Sequence, residues 1–239
     1  MAIKSAQAWL IHKQWSGDSS ARVYFFTAEQ GIIHCMYKGG RSPKKQAVLQ
    51  PFTSLWISWV ERYHYHYVQC VETESFSLPL SGMNLFSALY LNELVYYLIK
   101  PLVPEYALYT SYVLTLHRLA QAENRSSIEA LLRRFEWALL GACGQQFSLV
   151  HEAGKPNLIE AHYYYRLIPG QGMVRSERGI PGSDVLAIAA DDLTQPDYLR
   201  SAKILMRQAI EPLLDGQEIK ARSILAALIK KEVSNQSLE

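Results

Sequence analysis

Cysteine occurs three times in 239 residues, at Cys35, Cys70 and Cys143. The odd number and wide spacing exclude a disulfide scaffold, and no pair has the two-residue spacing of a zinc knuckle or redox motif. Reduced, mostly buried thiols of a cytoplasmic protein are expected. No run of eighteen apolar residues exists, so no membrane-spanning helix is expected. The start, Met1 to Ser5, lacks the apolar stretch of a signal peptide. Catalytic signatures are missing too: there is no Gly-x-x-x-x-Gly-Lys phosphate loop, no nucleophile elbow and no His-Glu-x-x-His zinc site. The sequence reads as a binding protein rather than an enzyme, with no cofactor.

The most informative shortage is of one charge. Between Gln30 and Val60 there is no Asp or Glu, yet Lys38, Arg41, Lys44 and Lys45 fall within Lys38-Gly39-Gly40-Arg41-Ser42-Pro43-Lys44-Lys45. Four cations without a local counter-charge suit a phosphate backbone. The Gly and Pro residues predict a mobile connector there. Over residues 1–80, eight Lys or Arg face five acids, although the whole chain carries a formal charge of only +2.

What is present divides in two. Segments 6–15, 21–28, 31–38, 52–62 and 66–77 are rich in Val, Ile, Tyr, Phe and Trp and are separated by turn residues. In the third, Ile33, Cys35 and Tyr37 should face opposite to Ile32, His34 and Met36. Five short strands predict a small closed barrel, of OB or SH3-like type. From Leu80 the period becomes helical, with apolar spacing through Leu85–Ile99, a second helix between Pro104 and Gln121, and a third opened by a capping box at Ser126-Ser127-Ile128-Glu129. A polar, Gly-rich stretch follows over 144–182, where 162–167 and 173–175 should pair as a hairpin. Helices return at 183–193, 196–214 and 221–232. The expected class is α+β: residues 1–80 form the five-stranded barrel and 81–239 a mainly helical domain.

Four constellations have candidate roles. The basic loop, with Arg22 on the second strand, is the candidate nucleic-acid contact. Tyr63-His64-Tyr65-His66-Tyr67 would put three tyrosines on one face of a strand, as a base-stacking platform or a packed edge strand. Arg133 and Arg134 are consecutive on a helix, about 100° apart, so one is expected buried and the other exposed. Arg133 is expected to pair with Glu129 unless the arginines serve an acidic peptide or terminal carboxylate. Arg200, Lys203 and Arg207 share a helix face and either extend a DNA track or solvate the surface. Glu93, alone on an apolar helix, is expected to be a hydrogen-bonded structural acid.

A resemblance sharpens these readings. Ala8-Trp9-Leu10-Ile11-His12, Phe26-Thr27-Ala28-Glu29-Gln30-Gly31, Lys38-Gly39-Gly40-Arg41, Gln50-Pro51-Phe52, Leu80-Ser81-Gly82, Tyr90-Leu91-Asn92-Glu93-Leu94, Leu132-Arg133-Arg134-Phe135-Glu136, Ala138-Leu139-Leu140-Gly141 and Ile219-Lys220-Ala221-Arg222-Ser223 follow one another in an order and spacing that resembles the RecO family of bacterial recombination mediators. The resemblance implies an OB barrel followed by a helical domain, binding of single- and double-stranded DNA, and annealing of complementary strands. It also implies a complex with RecR, and capture of the acidic, Phe-ending tail of the single-stranded-DNA-binding protein SSB. Through these, RecA would be loaded onto coated DNA, in the cytoplasm at sites of nucleoid repair. Lys38 and Arg41 match the family's basic loop, with Lys44, Lys45, Arg22, Lys203 and Arg207 as further DNA candidates. Arg133, Arg134 and Leu132 are the candidates for the SSB tail, with the choice between the arginines open. Many relatives carry a four-cysteine zinc module after the third helix. Here 144–172 has no cysteine, and no metal is expected. An OB-fold adapter that binds protein, or an RNA-binding accessory, is the alternative.

Overall fold

The computed structural model describes residues 2–224 and Ala227. It resolves into two compact units, one running to Gln121 and resuming at Ile219, the other spanning Ala122–Glu218.

In the first unit, β1 (Ile3–Ser16), β2 (Ser20–Thr27), β3 (Gly31–Tyr37), β4 (Ser54–Arg62) and β5 (Tyr65–Thr73) close a barrel in the order β1-β2-β3-β5-β4. This is the OB-like barrel. All pairings are antiparallel except β3 with β5, where a two-residue parallel seam, Cys35 to His66 and Met36 to Tyr67, closes the barrel. The long first strand serves two neighbours. It pairs with β4 over Ile3–Trp9 and with β2 over Trp9–Ser16, and the register slips between Leu10 and His12. Such an irregularity bends the strand around the barrel.

Side-chain alternation then builds the interior. Ala8, Leu10, Val23, Phe25, Ile33, Cys35, Leu55, Ile57 and Trp59 pack together inside. Burial pushes the Cys35 thiol up to about 12, so it behaves as an inert apolar side chain. The opposite phase is covered as well. Phe26 meets Tyr109 and Tyr112 edge-on, at 5.3 and 5.6 Å between ring centres. These two tyrosines belong to α3 (Tyr106–Gln121), which follows α2 (Gly82–Leu98). Gly31 is required where it stands: its φ is +65°, and a Cβ would collide with the carbonyl of Val103.

Two local expectations are corrected, and a third lies mostly outside the described residues. The basic loop is not a plain connector, because Pro43–Val48 form a short helix, α1, with Pro43 in the first turn. Proline presets the helical φ there, Lys44, Lys45, Gln46 and Ala47 are all helix formers, and Leu49 is anchored in the barrel core. Tyr63 and His64 are turn residues at φ +50° and +65° between β4 and β5, not strand residues. The expected helix 221–232 starts at Lys220 and lies mostly outside the described residues.

The second unit begins with α4 (Arg125–Ala142). Its cap is Asn124, whose Oδ1 accepts from the Ser127 amide at 2.9 Å, two residues ahead of the expected capping box. The polar stretch that follows contains the expected hairpin, β6 (Tyr164–Ile168) with β7 (Gly172–Ser176), and a short third strand, β8 (Ile180–Pro181), on the other side of β6. Tyr165, fully buried, receives the Glu160 amide on its hydroxyl at 3.0 Å. The unit is completed by α5 (Gly182–Ala189) and α6 (Pro196–Ile210), which packs on both α4 and α5. Asp184 is buried between them, accepting from the hydroxyls of Ser183 and Ser201. No described helix is long and apolar enough to cross a membrane.

Candidate nucleic-acid surface and peptide groove

On the barrel, three of the four loop cations are held against aromatic rings or carbonyls, not carboxylates. The Lys45 ammonium lies 4.4 Å from the Tyr37 ring centre and donates to the Lys38 carbonyl at 2.6 Å. That of Lys38 lies 5.4 Å from the Tyr67 ring centre. Arg41 donates from Nη1 to the Gly17 carbonyl at 2.8 Å, which sets its guanidinium 5.5 Å from the centre of the Trp15 ring. Lys13, outside the candidate set, sits 6.0 Å from the same ring and donates to the Leu49 carbonyl. Lys44 is exposed on α1. Ring faces orient these cations without neutralising them. Among the described residues no carboxylate pairs with any of the four.

Trp15 is the residue that sequence reasoning missed. It is 44 % exposed near the end of β1, between two cations. Its signal was available: an indole two residues after a lysine at the end of an apolar strand. The tyrosine run contributes less than its composition promised. Tyr63 and Tyr65 are exposed, but only Tyr67 of the three stands over a loop cation.

Arg22 belongs to a different feature, a line of rings across three strands. His12, Tyr24 and His34 are successive cross-strand partners on β1, β2 and β3. Tyr24 and His34 are stacked nearly parallel at 4.6 Å, and Tyr96 of α2 closes on His12 at 4.3 Å. Burial holds both imidazoles below their ordinary value, reinforced by Lys220 at His12 and by Arg22 and His66 at His34.

In the second unit the arginine pair opens onto a cavity of about 500 Å³. Its walls are mostly apolar, including Trp137, Phe147, Leu149, Val150, Leu193 and Met206. As expected for neighbours on one helix, Arg133 is buried and Arg134 exposed. Their partners were not foreseen. Arg133 donates from Nη2 to Glu136 at 2.8 Å, while its buried Nε has no hydrogen-bond partner. Glu129 instead faces Arg125 and Lys203. Arg134 donates from Nε to both oxygens of Asp191, at 2.8 and 3.0 Å. Leu132 is buried and is not among the cavity-lining residues. The helix α6 cations are all matched: Arg200 with Asp197, Lys203 with Glu129, Arg207 with Glu211. Glu93, half-buried, accepts from the Ala221 amide at 3.1 Å, the structural role expected of it. No group of three or more potential metal ligands occurs among the described residues.

Two family models match this chain: Recombination protein O N terminal over residues 1–76 and Recombination protein O C terminal over residues 81–212. The chain belongs to the RecO family. Similar relatives include the DNA repair protein RecO of Legionella pneumophila (strain Lens), 54% identical over 225 residues that cover 94% of this chain and 98% of the relative. That of Aliivibrio fischeri (strain MJ11) is 34% identical, with 91% and 93% covered. The first RecO family match covers all five barrel strands. The second covers α2 and α3 of the first unit and continues through α6 of the other.

Proposed function

We propose that this chain is a DNA-repair mediator that binds DNA on its barrel and a partner's acidic tail in the groove beside α4. One observation carries the DNA half: three of the four loop cations lie on aromatic rings, the fourth is exposed, and no described carboxylate neutralises any of them. Phosphates exchange for small counterions at such a surface, and exposed rings stack bases of any sequence. Arg22 lies on the same barrel with no ion-pair partner among the described residues. Lys203 and Arg207 already face carboxylates, which makes them weaker DNA candidates.

The groove supports the second half. An apolar cavity with arginines at its edge suits a peptide that ends in an aromatic side chain and a carboxylate. The SSB tail has that chemistry, so docking would concentrate the mediator on SSB-coated DNA without tight intrinsic affinity. Strand annealing, partnership with RecR and assistance to RecA loading belong to the same proposal and rest on family membership.

The test is annealing of two complementary labelled oligonucleotides, each coated with SSB, with and without the protein. Acceleration that vanishes when the SSB tail is deleted supports the reading. No acceleration by folded protein favours an OB-fold adapter, and preference for RNA over DNA of one sequence favours the RNA-binding alternative.

A further inference from the structure

Both arginines at the groove are already matched by carboxylates of the chain itself, Arg133 by Glu136 and Arg134 by Asp191. An incoming anion therefore finds no net cation there. The two pairs differ in accessibility. Arg133 and Glu136 have side chains 9 and 2 % exposed and lie on one helix, so that pair is fixed. Arg134 and Asp191 are 41 and 65 % exposed and come from segments 57 residues apart. Only the second pair can exchange partners without taking a charge through the protein interior.

Asp191 is also placed against local preference. It follows the C-terminus of α5 at φ +56°, its amide bonds back to the Ile188 carbonyl, and the Asp192 amide bonds to that of Ala187. This is the left-handed cap at which helices usually place glycine, or failing that asparagine. A carboxylate there is doubly unfavourable, since it is strained in the backbone and sits at the negative end of the helix dipole. The offset is its two-oxygen grip on Arg134. Positions where a local rule is broken without local gain are where function is to be sought.

We propose that Asp191 is a built-in competitor for Arg134, occupying the guanidinium until a ligand carboxylate displaces it, so that it sets both the affinity and the anion selectivity of the groove. This rests on the reading of the groove as an acidic-tail site. A ligand with its own carboxylate replaces one ion pair by another and places its apolar side chain among Trp137, Phe147 and Met206. A neutral ligand gains the apolar contact alone and leaves Asp191 in place. Arg133, which also lines the cavity, stays paired with Glu136 while the exposed pair exchanges.

The experiment titrates the full chain with a short aspartate-rich peptide ending in phenylalanine with a free carboxylate. Asp191→Asn and Asp191→Gly are compared with wild type. Both residues tolerate the left-handed conformation, so both variants keep the fold. Asp192→Asn removes the same charge one residue away without releasing Arg134, and so measures the general effect of charge. The inference expects Asp191→Asn and Asp191→Gly to bind about two- to fivefold more tightly, the range of an exposed ion pair. It expects Asp192→Asn to match wild type and the Asp191 effect to vanish in an Arg134→Ala background. Equal or weaker binding by the Asp191 variants, an equal gain in Asp192→Asn, or a gain that persists without Arg134 overturns it while leaving the groove reading intact. No binding of the peptide by wild-type protein overturns the groove reading and this inference with it.

Discussion

Tyr112 donates its hydroxyl proton to Oδ1 of Asn92 at 2.6 Å, and Asn92 donates onward to the Leu10 carbonyl at 3.3 Å. These two hydrogen bonds join α3 to α2 and α2 to the first barrel strand, at residues that are all buried. They are the polar counterpart of the aromatic packing of Phe26 on Tyr109 and Tyr112. Removing the hydroxyl with Tyr112→Phe leaves a buried amide oxygen short of its donor, at a cost of about 1–3 kcal/mol. Chemical denaturation of the full chain measures it, and a loss below about 0.5 kcal/mol would mean that the helices and barrel do not depend on this link.

The barrel surface separates two physical contributions to DNA binding. Charge removal at Lys38, Arg41, Lys44 and Lys45 should weaken single-stranded DNA binding and flatten its salt dependence, by about 0.7 in slope for each phosphate that is no longer neutralised. Binding at several salt concentrations checks this. An unchanged slope would take the loop out of the DNA-binding surface.

Trp15→Ala should behave differently. Without its base stack the complex weakens by about 1–3 kcal/mol but holds the same number of phosphates, so the slope should stay that of wild type. A flatter slope would show that the indole acts by orienting Arg41 and Lys13.

The arginines should separate in stability. Arg133→Met strips the cation from buried Glu136 and should destabilise by about 3 kcal/mol. Arg134→Ala breaks an exposed pair and should fall within about 1 kcal/mol of wild type. Urea midpoints decide it. The difference matters for any binding test, because a defect at Arg133 mixes folding with recognition, whereas Arg134 reports recognition alone.

Acidification should weaken the fold through the ring line. His12 and His34 have pKa values lowered from 6.5, so the folded protein takes up these protons less readily than the unfolded chain. Their contribution is intact above 6.5 and diminishes as pH falls from there through the lowered folded values. The unfolding temperature should therefore drop between about pH 7 and pH 5, and His12→Gln with His34→Gln should flatten that drop. Lys220, Arg22 and His66 act in the same direction, so no neighbouring cation reverses the sign.

Much of the barrel was legible because its signals are local. Alternation of Ile33, Cys35 and Tyr37 against His34 and Met36 located β3, and Gly17, Gly31 and the polar turns bounded the strands. The helix α1 was hidden because its cations outweighed a proline that also starts helices. Pairing was less legible than position. Nothing in the sequence sets His12 beside Tyr24 and Tyr24 beside His34, since that depends on cross-strand register. The groove was half legible. The arginine doublet marked it, but Phe147–Val150 and Ile188–Leu193 reach it from elsewhere in the chain, and Asp191 had no neighbour in sequence to suggest its partner.

The return of the chain at Ile219 has a consequence for how the protein is made. Ile219 and Ala221 are buried, and the Ala221 amide is bound by Glu93, so the first unit borrows residues synthesised after the whole of the second. A ribosome delivers the five strands before the second unit, yet the piece that meets Glu93 is made only after it. The barrel unit is thus the first to start folding, and it cannot finish until the chain has passed through the whole of the second unit.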